Sequence, residues 1–335
     1  MKNAKMNRTF LLKKRPVGKP QLTDFVMVEE KIPSLQDNEV LLKTHLVSVD
    51  PYLRGRMTDA KSYVAPFELN KPVCSGIIAE VIDTNHTGFK KGDFVSGLLE
   101  WKEFQKSDGT GLRKVDRTKA PLSAYLGVLG LTGLTAYFGM TEIGKPKKGE
   151  TLVVSGAAGA VGSIAGQIGK ILGCRVVGIA GTDEKVERLK TLFGFDEAIN
   201  YHTANMKKEI AAACPRGVDI YFDNVGGVIS DNVLFHLNYF SRIVVCGAIS
   251  LYNETQLPTG LRVEPFLIKN SILMQGFIVN NYSEKFPEAI KQLSAWLSTG
   301  KLIAKETVME GFENIPRAFL RLFDGKNTGK MIVKV

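Results

Sequence analysis

From residue 8 to 121 the apolar positions fall in short, β-branched runs, several of them alternating with polar ones: RTFLLKKRP (8–16), FVMVEEKI (25–32), EVLLKTHLVSV (39–49), SGIIAEVIDT (75–84) and DFVSGLLEW (93–101). Punctuated by Gly, Pro and Asn, this pattern predicts a twisted, partly barrel-like β domain. After Leu126 the period changes. GLTGLTAYFGM (130–140) is helical and rich in small residues. Strand-type runs then alternate with helical ones: TLVVS (151–155), RVVGIA (175–180), EAINY (197–201), DIYFDNV (219–225), RIVVCGA (242–248) and ILMQGFIV (272–279). Strands separated by helices in this way predict a doubly wound parallel sheet of α/β class. Strand character returns in GKMIVKV (329–335), so the expected organisation is a β domain over 1–126, an α/β domain over 127–299, and a return of 300–335 to the first domain.

The strand TLVVS feeds GAAGAVG (156–162), which opens directly into the helix-compatible SIAGQIGKILG (163–173). Strand, tight glycine turn and helix together form a phosphate site. A helix N-terminus presents unpaired N–H groups and a positive dipole end, and only residues without bulk let a pyrophosphate approach them. Gly159 and Gly162 hold the second and third positions of the dinucleotide fingerprint, with Ala157 at the first. The segment from Thr151 to Gly181 has the length of one βαβ crossover.

Sites specific for NAD place an Asp or Glu at the end of the second strand, about 20 residues beyond the glycines. Here that strand ends Ala180, Gly181, Thr182. Asp183 and Glu184 come later, where they are expected to cap and charge the first turn of the helix DEKVERLKTLF. A 2′-phosphate is then not repelled, and Lys185 is the favoured cation to attract it, with Arg188 balanced between that role and a solvated helix face. NADPH is the expected cofactor.

Length, 335 residues, favours two domains, and a hydrophobic content of 44% supports a large interior. No apolar run reaches the roughly 18 residues of a membrane helix. Cys74, Cys174, Cys214 and Cys246 are scattered, without a C-x-x-C pair, which fits a reducing compartment; the cytoplasm is expected. The net charge of +10 leaves phosphorylated cofactor and nucleic acid both open. Lys2, Lys5, Arg8, Lys13, Lys14, Arg15 and Lys19 precede the first acidic residue, Asp24, a composition shared with transit peptides, but RTFLLKKRP alternates like an edge strand and no apolar h-region or small-residue cleavage site is present, so an edge strand is the favoured reading. His45, His86, His202 and His236 are isolated and no cysteine neighbours Asp50-Pro51-Tyr52, so no metal site is predicted.

VDPYLRGRM (49–57), GLTGLTAYFG (130–139), GAAGAVGS (156–163), YFDNVGG (221–227), CGAIS with YN (246–253), QGFIV (275–279) and Gly329-Lys330 occur in that order. Their joint order resembles the zinc-independent branch of the medium-chain dehydrogenase/reductase superfamily that holds the prostaglandin reductases, or leukotriene B4 12-hydroxydehydrogenases, and the NADPH-dependent alkenal double-bond reductases. The resemblance spans residues 8–335. It implies a GroES-like β domain with a Rossmann domain, and a homodimer, since this branch commonly dimerises. It implies that Gly159, Ala160, Val161 and Gly162 meet the pyrophosphate and that Lys185 and Tyr201 surround the adenosine 2′-phosphate. Asn224, the loop Cys246, Gly247, Ala248, Ile249, Ser250 and Tyr252, and the strand end Phe277, Ile278 and Val279 would surround adenosine, ribose and nicotinamide, with Asn327 a last contact.

The activity implied is hydride transfer to the β-carbon of an α,β-unsaturated aldehyde or ketone, followed by protonation of the α-carbon. Such chemistry needs no metal if donors meet the carbonyl oxygen as enolate charge develops. Tyr52 of the DPY motif is the first candidate donor. A second tyrosine that mammalian and plant members often carry is replaced here by Lys269, which turns the expectation away from eicosanoids; Tyr252 and Asn280 are further candidates. Quinone reduction by the same fold and, ranked lower, RNA binding through backbone charge remain alternatives.

Overall fold

The computed structural model describes residues 6–335; Lys2 and Lys5, counted above in the basic run, lie outside them. The chain divides into two compact units. One runs to Leu126 and takes in Glu306–Lys326 and Met331–Val335; the other holds Gly127–Lys305 and Asn327–Lys330. In this division the return starts at Glu306, beyond the expected residue 300, and residues 327–330 stay with the second unit.

In the first unit β1 (Met6–Leu12) and β2 (Phe25–Lys31) form an antiparallel pair. They are followed by β3 (Val40–Ser48), the single turn α1 (Leu53–Arg56), β4 (Cys74–Thr84), β5 (Phe94–Glu100), β6 (Phe104–Ser107) and β7 (Arg113–Val115). Along β3 the alternation written in VLLKTHLVS buries Val40, Leu42 and Thr44 on one face, as a half-covered antiparallel strand requires. Trp101, fully buried among Phe25, Leu12 and Ile77, directs its indole N–H to Ser75 Oγ at 2.8 Å, so the largest core side chain leaves no polar atom unmatched.

The second unit opens with α2 (Leu131–Phe138), whose last turns widen to π geometry over Gly139–Gly144 before Lys145 turns left-handed and ends it. Then follow β8 (Thr151–Ser155), α3 (Ala160–Ile171), β9 (Arg175–Ala180), α4 (Asp183–Thr191), β10 (Glu197–Asn200), α5 (Met206–Ala213), β11 (Val218–Asp223), α6 (Gly227–Leu234), β12 (Leu237–Val245), α7 (Glu264–Asn270), β13 (Leu273–Gly276) and α8 (Phe286–Ser298). The six strands predicted from the pattern form one parallel sheet ordered β10-β9-β8-β11-β12-β13. All five residues of β8 are buried, because helices cover both faces of such a sheet. Strand order reverses between β8 and β11. Ligands bind beyond the carboxyl ends of strands at such a switch point.

The return supplies β14 (Glu306–Glu310), α9 (Ile315–Leu322) and β15 (Lys330–Lys334). β15 pairs antiparallel with β3, Ile332 opposite Ser48, in a sheet ordered β14-β15-β3-β4-β5-β7 with β6 also on β3. α9 buries Ile315, Ala318, Phe319 and Leu322, the i, i+3, i+4, i+7 face of an amphipathic helix, against the core that holds Leu12 and Phe25. Among the described residues no helix is long and apolar enough to cross a membrane.

Candidate cofactor-binding site

β8 ends at Ser155, the chain turns through residues 156–159, and α3 begins at Ala160 with Gly159 as its N-cap. No side chain caps that terminus, so the N–H groups of Ala160, Val161 and Gly162 are left for an anion. The turn explains both its glycines and its departure from the fingerprint. A Cβ on Gly162 would stand 2.4 Å from the Gly156 carbonyl oxygen and 2.9 Å from Ala157 Cα, so only glycine lets the helix start this close to the strand. Gly156, at φ 57°, makes the left-handed turn. Position 157 therefore has no need of glycine, and Ala157 is simply buried. The turn has a second support that the sequence did not reveal: Gly329 N–H donates to the Ala158 carbonyl at 2.7 Å, and Gly329 bridges Gly159 in parallel. Asn327, whose Nδ2 donates to the Gly329 carbonyl at 2.9 Å, is thereby held beside the turn from the far end of the chain.

At the end of β9, Thr182 caps α4, its Oγ1 accepting from Lys185 N–H at 3.2 Å. This corrects the expectation that Asp183 caps the helix: Asp183 instead accepts from Asn200 Nδ2 at 2.7 Å, because the threonine one position earlier already has the extended backbone of a cap. Both acidic residues do lie in the first turn. Glu184 pairs with Arg188 at 2.7 Å one turn on, which gives Arg188 its helix-surface role. Tyr201 follows β10 and lies over the β9 end: a Cβ at Gly181 would meet its hydroxyl at 2.9 Å. Gly181 thus lies against Tyr201 and Thr182 against the Lys185 backbone, while the nearest carboxylate, Asp183, follows the strand end and is held by Asn200.

Beyond β11 and β12 the loops are laced to the β8 end. Asn224 Nδ2 donates to the Ser155 carbonyl at 2.7 Å, and Asn224 N–H to Ser155 Oγ at 2.9 Å. Asp223, which motif reading passed over, is 5% exposed and accepts from Ser155 Oγ, Tyr221 Oη, Val225 N–H and Gly226 N–H, all at Oδ1, and from Ser230 Oγ at Oδ2. Its carbonyl takes the N–H groups of Cys246 and Gly247. Ile249 N–H reaches the Asn224 carbonyl, Ser250 reaches that of Val225, and Ala248 N–H donates to Tyr252 Oη at 3.3 Å, so the 246–252 loop folds onto the 224–226 loop. Burial first, and then the Asp223 charge, push the Cys246 thiol up to about 12, which keeps it protonated and inert. Phe277, Ile278 and Val279 leave the end of β13, the Phe277 ring lying 6.4 Å from that of Tyr282.

Tyr52 belongs to the first unit, at the start of α1, packed against its core. Burial, then the charge of Asp50, raise its hydroxyl pKa, with Arg56 opposing, so it remains a donor. Arg56 is itself fixed: its guanidinium lies 4.0 Å over the Phe67 ring, donates to the Ala65 carbonyl at 3.0 Å and points a nitrogen at Cys74 Sγ. Lys269 sits on α7, exposed. Among the described residues no three His, Cys, Asp or Glu side chains are grouped to hold a metal ion. His45 instead pairs with Glu80, and His86 closes a turn onto Gly88 N–H.

A glycine turn at the switch point of a parallel sheet, its helix terminus uncapped, defines a Rossmann-type dinucleotide-binding protein. Residues 8–115 match the family model described as the N-terminal domain of oxidoreductase, and residues 160–295 the one described as zinc-binding dehydrogenase. The putative NADP-dependent oxidoreductase YfmJ of Bacillus subtilis is 59% identical over 97% of this chain and 96% of its own. The NADP(+)-dependent 2-alkenal reductase of Nicotiana tabacum is 41% identical, over 98% and 97%. The crystal structure of CurA from Vibrio vulnificus in complex with NADPH superposes with a TM-score of 0.93 at 42% identity, covering 98% of this chain and 99% of that one. The chain belongs to the medium-chain dehydrogenase/reductase superfamily, in the branch of the prostaglandin and alkenal reductases.

Proposed function

We propose that this protein is an NADPH-dependent ene-reductase that reduces the carbon–carbon double bond of α,β-unsaturated aldehydes and ketones. The observation that carries the reading is the end of β9, where Ala180, Gly181 and Thr182 offer no carboxylate and Lys185 follows with Tyr201 alongside; the names of the NADP-dependent relatives support it. Gly159 to Gly162 would hold the pyrophosphate, Lys185 and Tyr201 the 2′-phosphate, and Asn224, the 246–252 loop, Phe277 to Val279 and Asn327 the remainder. Bound NADPH would supply the hydride that the β-carbon accepts, and a proton from water would complete the reduction at the α-carbon. Tyr52, kept protonated by its surroundings, donates to the carbonyl oxygen as enolate charge develops there, the stage at which a fixed donor counts most. We also place the protein in the cytoplasm, as a homodimer. Four cysteines, all free, favour a reducing compartment. The exposed β13 edge favours a second copy. NADPH oxidation measured against alkenals, enones, quinones and hydroxylated eicosanoids tests the reading. Turnover of alkenals and enones is expected; turnover of quinones alone would overturn it.

A further inference from the structure

We propose that Asp223 is a positioning residue for the dinucleotide, acting through Ser155 and the backbone of residues 224–226 without touching the cofactor; the inference rests on the NADPH reading above. A buried carboxylate is costly unless its oxygens are matched. Here both are, by three hydroxyls and two backbone N–H groups. The donors fall into two sets. Tyr221 on β11 and Ser230 on α6 anchor the carboxylate from the body of the domain. Ser155, Val225 and Gly226 belong to the two segments that turn at the switch point.

Ser155 makes the connection directional. Its hydroxyl donates to Asp223 and therefore presents a lone pair to Asn224 N–H, while the next residue, Gly156, begins the phosphate turn. A Cβ at Gly156 would meet Asn224 Cβ at 3.4 Å and Val225 Cγ2 at 3.3 Å, so the two segments are already in contact and their spacing follows the network. With Cys246 and Gly247 on its carbonyl, Asp223 sets three loops that the cofactor would meet. A neutral amide at 223 has one acceptor oxygen and brings two N–H donors where donors already converge.

The test uses Ser155→Ala and Asp223→Asn in the full chain, with NADPH affinity from fluorescence titration, kcat and KM for NADPH, and thermal unfolding without cofactor. Loss of a matched buried bond predicts that each variant weakens NADPH binding about tenfold or more. Because the two residues act as one unit, the double variant is expected to cost no more than the larger single change. At saturating NADPH, kcat is expected to stay within about twofold, giving a split between KM and kcat. A lowered unfolding midpoint with wild-type NADPH affinity would mean that the network only stabilises the fold, and would overturn this inference alone. A wild-type chain that fails to bind NADPH would overturn the cofactor reading and this inference with it. Should Asp223→Asn not fold, Ser155→Ala, which removes a single hydroxyl, decides the matter.

Discussion

Tyr52, the proposed donor, stays protonated, because burial first and then the neighbouring Asp50 oppose a phenolate. Tyr52→Phe keeps the ring in the core of its unit and removes only the hydroxyl. Folding and NADPH affinity are expected to be unchanged while enone turnover falls. One preorganised donor is worth about 100- to 1000-fold in kcat at oxyanion sites; the loss here is expected at or below the low end, because the nicotinamide ribose 2′-hydroxyl of the proposed NADPH would offer a second donor. Unchanged turnover would remove the hydroxyl from the mechanism. Lys185→Ala should narrow the preference for NADPH over NADH, read as the ratio of kcat/KM for the two cofactors, and a wild-type preference for NADH would sink the phosphate site. Both assignments come from sequence, from a motif and from a strand-end position, and these two variants are their test. Asp183 is the better cap by residue type, so sequence favours it; the extended backbone falls one residue earlier, at Thr182, and that decides the cap. Asp223 was not legible as an organiser, since beside its local partners Tyr221, Val225 and Gly226 the others lie on β8, on α6 and after β12 and meet only when the sheet is assembled.

The decisive element is the β8–α3 turn. The order of strand, glycines and helix was readable because it is local. The clamp from Gly329 onto Ala158 was not, since it joins residues from opposite ends of the domain's sequence. The turn also shows which glycine is indispensable. Gly162→Ala drives a methyl group to 2.4 Å from the Gly156 carbonyl oxygen, and no flexible side chain stands there to yield. Overpacking against backbone costs about 1–3 kcal/mol, occasionally more, and here the strain is relieved only by moving the turn away from the helix terminus. Gly162→Ala is therefore expected to lower the unfolding midpoint and to abolish saturable NADPH binding together. Normal NADPH affinity in a Gly162→Ala protein would show that the turn is not the pyrophosphate site.

For the whole molecule, the dispersed histidines and cysteines predict that turnover survives exhaustive chelation; one zinc per chain with chelator-sensitive activity would contradict this. The remaining question is what covers β13. It has β12 on one side and, among the described residues, no strand on the other. All four of its residues are exposed, Leu273 at 50% and Met274 at 41%, and Ile268 on the preceding α7 is exposed at 79%. A strand of a parallel sheet is ordinarily covered, and an apolar edge left open invites pairing with another chain. A second copy related by a two-fold axis would close the edge in one step, because the same patch would then meet itself and nothing would remain open to propagate. Sedimentation is expected to give the mass of two chains. Leu273→Lys puts a charge on each side of that contact and should yield single chains, with NADPH binding retained because Leu273 begins β13, at the opposite end from the 277–279 segment proposed to meet the cofactor. A wild-type protein that sediments as one chain, or a Leu273→Lys protein that remains paired, would place the partner surface elsewhere.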